Sequence, residues 1–286
     1  FSFLFPFQYG CKLQRYKYFL IRSFHYLCPD MIFYYSGCGN SRHIALVLSN
    51  KLGERLVFIP DALRSSSFSY ELAPGERLGF VWPVYCWAPP KLVLDFVSRL
   101  ELSGKPSFCF FVATCGDTAG ESEAIFRKAL ARKGLQLDSA WCLIMPETYV
   151  NIKSMGLDTP EGAREKIRRA DAALPDIAKS IAAGERRSEL PIGSSPRFKS
   201  YIVRPLFYAF LVRDKYFHVS DACTSCGLCA KLCPLQNISM VQGRPKWNGN
   251  CTTCNSCYHH CPVNAISFSK ATEGKGQYYF GKRESD

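Results

Sequence analysis

The sequence predicts two domains: an α/β domain with a five-stranded parallel sheet, and a smaller α+β domain that carries a doubled cysteine motif. Short apolar runs alternate with helical segments from Met31 to about Ala183. One cysteine pattern occurs twice between Cys223 and Pro262. The chain has 286 residues, 47% of them hydrophobic, which is enough for one full domain and a small one.

Five apolar runs are predicted to form the strands of the sheet. They are Ile32–Tyr35, Arg55–Ile59, Leu78–Trp82, Ser107–Ala113 and Ala140–Met145. Helices are predicted around Ile44–Leu48 and at about Pro90–Leu102, Ala119–Lys133 and Pro160–Ala183. Alternation of this kind implies a parallel sheet with helices on both faces, whose ligand lies beyond the carboxyl ends of the strands.

The last predicted helix has clear signals at its start and along one face. Thr159 can cap it, and Pro160 suits its first position. Further along, Ile167, Leu174, Ile177 and Ile181 mark one apolar face that can close over the sheet.

The loop after the first predicted strand has the composition of a phosphate site. It reads Ser36-Gly37-Cys38-Gly39-Asn40-Ser41 and directly precedes a helix. Backbone N–H groups at a helix N-terminus bind a terminal phosphate, and the hydroxyls of Ser36 and Ser41 add donors. A turn that only caps the helix would look similar. The loop is neither GxGxxG nor a P-loop, which disfavours dinucleotides and nucleoside triphosphates.

Two further loops at strand ends suit a planar ring. Pro83-Val84-Tyr85-Cys86-Trp87 offers two aromatic side chains that can cover ring faces, although such residues are as often core. Ala113-Thr114-Cys115-Gly116-Asp117 consists of small residues whose backbone can approach a ring edge. Three such loops on one sheet edge predict a cofactor with a phosphate and a ring.

On these residues, the region from Met31 to Ala183 resembles the flavodoxins. Their phosphate loop has a hydroxyl residue, a small residue and then Thr-Gly-Asn-Thr; here Cys38 stands where the family has threonine, which removes one hydroxyl donor. The resemblance implies bound FMN. The residues it assigns to FMN are Ser36, Gly37, Cys38, Gly39, Asn40, Ser41, Pro83, Val84, Tyr85, Trp87, Thr114, Cys115 and Gly116.

The doubled motif is C-x-x-C-x-x-C-x-x-x-C-P, which is typical of two [4Fe-4S] clusters. Thiolates spaced by two residues can converge on one cubane, and in the two-cluster arrangement the last cysteine of each run ligates the other cluster. The predicted ligands are Cys223, Cys226, Cys229 and Cys261 for cluster 1, and Cys251, Cys254, Cys257 and Cys233 for cluster 2.

Two other uses of these cysteines are disfavoured. A disulfide framework is typical of small secreted chains, and no cleavable signal pattern is evident. Structural zinc usually uses two separated C-x-x-C pairs without a third cysteine. The segments Asn237–Met240 and Ala265–Phe268 repeat at the same offset of 28 as the cysteines, which indicates one pseudo-symmetric module. From about Phe217 to Phe268 the chain resembles the bacterial two-cluster ferredoxins.

Together, the two regions resemble a family of flavodoxin and ferredoxin fusions, the EFR-type ferredoxins of anaerobic bacteria and archaea. Pro83-Val84-Tyr85 and Met145-Pro146-Glu147-Thr148-Tyr149 also look like that family. We expect an uncertain N-terminal extension (1–30), a flavodoxin-like FMN domain (31–184), a linker and connecting helix (185–213), a ferredoxin domain (214–270) and a tail (271–286).

The formal net charge of +12 favours an acidic redox partner, or offsets the charge of clusters and phosphate. Basic residues are scattered among acids, so no nucleic-acid site is predicted. Residues 1–30 begin with an apolar run that is too short to span a bilayer, and basic residues interrupt the sequence that follows it, so no membrane span is expected. We expect a reducing, cytoplasmic location.

The presumed flavin loops contain three cysteines, Cys38, Cys86 and Cys115. Cys38 lies near the predicted start of a helix, and a helix N-terminus lowers the pKa of a thiol. A redox role for Cys38 is therefore one interpretation. The favoured interpretation is that these are small packing residues. No histidine is assigned a metal.

Three functions fit these patterns. The favoured one is an electron carrier that relays electrons between the clusters and FMN. The second is an FMN-dependent oxidoreductase that reduces a small molecule with electrons fed through the clusters. The third is a ferredoxin whose flavodoxin-like half binds no flavin and only docks. No acid, base or substrate anchor stands out in the loops, which favours the carrier.

Overall fold

The computed structural model describes residues 31–282. The predicted N-terminal extension, residues 1–30, lies outside the described residues, as do residues 283–286 of the predicted tail. Within residues 31–282, no helix is both long and apolar enough to cross a membrane.

The strands and helices of the described residues are numbered here in chain order. The strands are β1 (Met31–Tyr34), β2 (Arg55–Phe58), β3 (Ser69–Glu71), β4 (Arg77–Pro83), β5 (Glu101–Ser103), β6 (Phe108–Cys115), β7 (Ser139–Ile144), β8 (Ser188–Glu189), β9 (Phe217–Val219), β10 (Ile238–Val241), β11 (Arg244–Trp247) and β12 (Ile266–Phe268). The helices are α1 (Asn40–Leu52), α2 (Ile59–Arg64), α3 (Lys91–Arg99), α4 (Ser122–Ala131), α5 (Pro160–Ala182), α6 (Pro196–Phe198), α7 (Arg204–Phe210), α8 (Leu228–Leu232) and α9 (Ser256–His259). A π-helical turn, Lys199–Val203, joins α6 to α7.

The main sheet is parallel, with the strand order β2-β1-β4-β6-β7-β8. Its first five strands in chain order therefore stand in the spatial order 2-1-3-4-5, which is the flavodoxin-like arrangement. The predicted fold class is confirmed, but the sheet has six strands rather than five. The extra strand β8 is two polar residues beside Ala140 and Trp141, with no apolar run to reveal it.

Each face of the sheet is covered by its own apolar core. Phe33, Phe80 and Phe111 belong to one core, and the alternate residues Ile32 and Phe110 belong to the other. Strand β6 is buried along its whole length, because helices cover both sides of a parallel sheet.

Helix α5 lies over one face of the sheet. The Thr159 side chain accepts a hydrogen bond from the N–H of Gly162 at 3.1 Å, and Pro160 begins the helix. Leu174, Ile177 and Ile181 are buried in the core beneath it. The predicted start and apolar face of this helix are confirmed.

The structure has a short helix, α2, where Ile59 was predicted to end a strand, and one predicted helix is shorter than expected. Helix α3 ends at Arg99, short of the predicted Leu102. The residues that follow form β5, which pairs in parallel with β3 as a separate two-stranded ribbon. Backbone pairing with β3 thus replaces the last helical turn.

The cysteine motifs lie in a small module of hairpins and short helices. Strand β9 pairs with β12, and β10 pairs with β11, both antiparallel. The repeat-related residues Ile238 and Ile266 are both buried, in a core with Phe217 and Phe268. The predicted pseudo-symmetric organisation is visible in this core.

We predict that Phe126→Ala destabilises the flavodoxin-like domain by about 3–5 kcal/mol, because a large buried aromatic leaves a cavity. The Phe126 ring centroid lies 5.0, 5.6 and 5.4 Å from those of Phe80, Trp82 and Phe111. The urea midpoint of far-ultraviolet circular dichroism measures the loss. Phe198→Ala, at a side chain that is 59% exposed, is the control and should change stability by less than about 0.5 kcal/mol. Equal midpoints for the two variants would contradict this packing.

Candidate functional site

A cavity of about 600 Å³ opens at the carboxyl ends of the strands, which is a volume typical of small-molecule sites. Most of the residues predicted to bind FMN line it. They are Ser36, Gly37, Cys38, Asn40, Ser41, Pro83, Val84, Tyr85, Trp87, Thr114, Cys115 and Gly116. Gly39 does not line the cavity. It has a positive φ of 98°, and a Cβ there would lie 2.8 Å from the Cβ of Phe280.

The first loop is closed by its own hydrogen bonds before helix α1 begins. The N–H of Gly39 donates to the Ser36 hydroxyl at 3.1 Å. The hydroxyls of Ser41 and Thr114 lie 2.7 Å apart, which ties the first loop to the third. Asn40 donates to the carbonyl of Pro146 at 2.9 Å. The loop is therefore held from three sides.

The second loop makes a tight turn that fixes its aromatic side chains. Cys86 and Trp87 both have positive φ values, 48° and 58°. The N–H of Tyr85 donates to the carbonyl of Ala88 at 2.9 Å across this turn. The Trp87 indole donates to the Thr118 hydroxyl at 3.1 Å, which ties the second loop to the third.

The segment after β7 lines the cavity as well, and its residues were not predicted as site residues. The residues are Met145, Pro146, Glu147, Thr148 and Tyr149. The Glu147 carboxylate accepts the N–H groups of Thr148 and Tyr149 at 2.8 and 2.7 Å. A Cβ at Gly116 would overlap this carboxylate. The position of the segment after the fifth predicted strand was the signal that could have identified it.

An apolar wall closes the cavity on the side of the connecting helix. Val203, Leu206, Phe207, Phe210 and Leu211 line it. The ring of Phe207 lies 5.5 Å from that of Tyr149. The sequence predicted a connecting helix here but not its place in the site.

The second cysteine run contributes to the cavity wall through Thr253, Cys254 and Asn255. A Cβ on Gly37 would lie only 2.8 Å from the Cβ of Cys254. The Cys38 thiol donates to the carbonyl oxygen of Cys254 at 3.2 Å. The first loop and the cysteine module are thus in direct contact.

Hydrogen bonds from the cysteine module to the segment after β7 hold the two modules together. Asn255 donates to the Thr148 carbonyl at 3.2 Å. His259 donates from Nε2 to the same carbonyl at 2.8 Å, while its Nδ1 accepts the N–H of Tyr278 at 3.2 Å. Burial lowers the pKa of His259 to about 4, so the neutral tautomer that these two bonds require is present at neutral pH.

The predicted tail crosses both modules. Gln277 donates to the carbonyls of Tyr258 and Cys261 at 2.6 and 2.8 Å. The N–H of Phe280 donates to the Cys38 carbonyl at 2.8 Å, and the Tyr278 hydroxyl donates to Asn40 Oδ1 at 2.8 Å. The tail therefore joins the cysteine module to the first loop.

Two groups of four cysteines come together. Cys223, Cys226, Cys229 and Cys261 line one small cavity. In the other group, burial raises the pKa of Cys257, and negative charge on Cys254, Cys251 and Cys233 raises it further. Each run thus contributes its last cysteine to the group that holds the first three of the other run.

Backbone N–H groups point at several of these sulfurs. Those of Asn237 and Ala265 donate to the sulfurs of Cys233 and Cys261, each at 3.2 Å. These two bonds are repeat-related. Within residues 31–282, no three His, Cys, Asp or Glu side chains are close enough to hold a single metal ion. A cubane is wider than an ion and takes sulfurs that stand further apart.

A buried tyrosine, Tyr35, and a partly buried one, Tyr85, lie between the cavity and this second group of cysteines. The hydroxyls of Tyr35 and Tyr85 are 3.1 Å apart, and Tyr85 lines the cavity. Burial raises the pKa of Cys254 to about 11, while hydrogen bonds from the Ser256 N–H and the Tyr35 hydroxyl lower it. Tyr35 thus contacts both Tyr85, which lines the cavity, and Cys254 of the second cysteine group.

Cys38 is not an activated thiol. Burial raises its pKa well above the usual value, as does negative charge on Cys254 and Glu147. These effects outweigh the helix N-terminus, which favours the thiolate. The packing interpretation of Cys38 agrees with this environment.

Comparison with known proteins identifies the cysteine module. Residues 222–266 match the model of a family described as the 4Fe-4S dicluster domain. No curated protein matches the chain.

Solved structures match part of the chain at low similarity. A putative flavoprotein from Bacteroides uniformis is 14% identical, with a TM-score of 0.32, over 40% of this chain and 90% of that one. A flavodoxin from Streptococcus pneumonia is 19% identical, with a TM-score of 0.32, over 54% of this chain and 97% of that one. A flavodiiron core from Synechocystis sp. is 12% identical, with a TM-score of 0.33, over 55% of this chain and 36% of that one.

The strand order and the family match give the same division of the chain. Its first part has the flavodoxin-like order of parallel strands. Its cysteine module matches the 4Fe-4S dicluster domain. The chain therefore joins a domain with the flavodoxin-like strand order to a module that matches an iron–sulfur family.

Proposed function

We propose that this protein is an electron-transfer protein that relays electrons between two [4Fe-4S] clusters and a bound FMN. The observation that carries the proposal is the position of Cys254. This residue belongs to the second group of four cysteines and also lines the cavity at the sheet edge. A cluster held there would share a wall with a molecule in the cavity.

The two cysteine groups suit [4Fe-4S] clusters. We assign Cys223, Cys226, Cys229 and Cys261 to cluster 1, and Cys251, Cys254, Cys257 and Cys233 to cluster 2. Burial and neighbouring thiolates disfavour the charged form of Cys254 and Cys257. Iron supplies the positive charge that such thiolates need, and the N–H donors to sulfur stabilise a bound cluster.

The cavity suits FMN in its chemistry as well as its volume. The first loop with the Ser36 hydroxyl, together with the Ser41 hydroxyl in the first turn of helix α1, would hold the phosphate. Tyr85, Trp87 and Phe207 offer aromatic surfaces to a ring. The bonds between the loops keep these groups in place without a ligand, which lowers the cost of ordering them on binding.

The chain's own contribution to the relay is positioning. When bound, the clusters supply one-electron transfer and FMN supplies one- or two-electron chemistry. Gly37 allows the module to approach the cavity, and His259 and the tail keep it there. The Tyr35–Tyr85 pair lies between the cavity and Cys254.

The carrier is favoured over a reductase of small molecules by the surroundings of Glu147, which lines the cavity together with Asp117. Two backbone N–H groups donate to Oε1 of Glu147. This side chain therefore fixes the backbone of the segment after β7, which suits a structural role.

We expect anaerobically purified protein to contain about eight iron atoms and one FMN per chain, because each four-cysteine group suits one cubane and the cavity suits one flavin. Colorimetric iron analysis and the flavin absorbance of the denatured protein measure these values. Eight iron atoms without flavin would support the docking function instead. About four iron atoms would refute the two-cluster assignment.

Gly37→Ala should slow electron transfer from the clusters to the flavin. The added Cβ would lie 2.8 Å from the Cβ of Cys254, and overpacking of this kind costs about 1–3 kcal/mol. Stopped-flow absorbance of the flavin after cluster reduction measures the rate. Gly156→Ala is the matched control, since a Cβ there meets nothing within 4 Å. Equal rates in the two variants would show that contact at Gly37 does not govern transfer.

Cys38→Ser should leave flavin affinity and flavin reoxidation changed by less than about twofold, because burial keeps this thiol protonated and the serine hydroxyl can still donate to the Cys254 carbonyl. Fluorescence titration and reoxidation kinetics test this. A much slower reoxidation would restore a redox role for Cys38.

A further inference from the structure

The helix that closes the cavity presents an apolar face to solvent. Helix α6, the π-helical turn and α7 form one continuous helical segment from Pro196 to Phe210. Five of the ten exposed large hydrophobic residues among residues 31–282 lie on it, and we call them the outer stripe. They are Phe198 at 59% exposure, Tyr201 at 52%, Ile202 at 53%, Leu206 at 54% and Phe210 at 64%.

The spacing of the outer stripe is helical. Phe198, Ile202, Leu206 and Phe210 follow one another at intervals of four residues, so they lie along one side of the helix. The residues exposed beside them, Pro205 and Ala209, are also uncharged. A surface helix normally turns its polar side to water. This helix has the opposite orientation.

The polar side of the segment faces the protein. Ser200 is buried and donates to the Trp87 carbonyl at 2.8 Å. Arg204 donates to the carbonyl of Pro89 at 3.1 Å. The Tyr208 hydroxyl accepts the N–H of Lys91 at 3.3 Å. These contacts fix the rotation of the helix, so the stripe cannot turn inward without breaking them.

The charged residues within the segment and its nearest flanks are all positive. Residues 190–213 contain Arg197, Lys199, Arg204 and Arg213 and no Asp or Glu. Arg197 and Arg213 are exposed at the two ends of the stripe. A second copy of the chain, docked stripe to stripe, would bring these cations together. An anionic surface would pair with them instead.

We propose that the outer stripe docks on a membrane surface that contains anionic lipids. Large apolar and aromatic side chains on one face, with exposed basic residues at both ends of that face, are the features of a helix that lies in the lipid interface. The basic residues add attraction to anionic headgroups. This inference goes beyond electron transfer and does not depend on which cofactor the cavity holds.

The docked surface includes the mouth of the cavity. Leu206 and Phe210 belong to the outer stripe and also line the cavity, and Met155 lines it and is partly exposed. Docking through the stripe therefore brings the opening of the cavity to the lipid boundary.

Flotation with vesicles tests the proposal on the full-length chain with its cofactors. We expect the protein to float with vesicles of 30% phosphatidylserine in phosphatidylcholine. Binding to phosphatidylcholine alone should be weaker by at least about tenfold, because the basic residues then lose their counter-charge. Arg197→Gln should weaken binding to the anionic vesicles roughly fivefold.

The double variant Phe198→Ser with Ile202→Ser should weaken vesicle binding by at least about tenfold, since two large side chains no longer enter the lipid. Neither residue lines the cavity, and both are exposed, so iron content and circular dichroism should be unchanged. Val241→Ser, at a side chain that is 48% exposed on β10 of the cysteine module, is the matched control and should bind like the wild type.

Three results would overturn the proposal. The first is no flotation of the wild type with anionic vesicles. The second is equal flotation of the double variant, which would assign binding to another part of the chain. The third is a wild-type dimer that the double variant converts to monomer without any vesicle binding, which would make the stripe a contact between copies.

Discussion

The arrangement of this protein depends on one close approach of two backbones. Gly37, in the first loop, lies so near Cys254 that a methyl group between them would meet the Cys254 Cβ at 2.8 Å and its carbonyl oxygen at 3.0 Å. Protein interiors are packed about as densely as organic crystals, so the atoms at such a contact cannot move apart without disturbing their neighbours. It fixes where the iron–sulfur module sits on the sheet edge. Part of the cavity wall, the Tyr35 hydroxyl and the tail all adjoin this contact.

The contact is supported by groups that lie far apart in the chain. The Cys38 thiol bonds to a carbonyl 216 residues away. The tail returns from the iron–sulfur module to the same loop, where the Phe280 ring stacks on His43 at 4.1 Å. Tyr278 and Phe280 of the tail thus make structural contacts with the first loop and helix α1. An electron relay needs this kind of rigidity, because the protein itself must hold the two cofactors at a fixed distance.

Local patterns in the sequence predicted the elements and the cysteine groups well. The spacing of Cys223 to Cys261 restricts which sulfurs can meet. The loops after β1, β4 and β6 predicted a site at the sheet edge, because parallel strands end at one edge. Contacts between distant segments could not be predicted. No local signal shows that Gly37 meets Cys254, that Phe280 covers Gly39, or that Ser188–Glu189 extends the sheet. The assignment of cofactors to these residues remains a proposal.

In the proposed relay, electrons pass within one chain between a cluster beside Cys254 and a flavin in the cavity. Pulse radiolysis of the anaerobic, fully loaded protein tests it, by adding one electron per molecule and following cluster and flavin absorbance separately. Electron transfer within one chain should give a first-order exchange between cluster and flavin, with a rate constant that does not change with protein concentration. A rate that rises in proportion to protein concentration, or an electron that stays on the clusters, would contradict it.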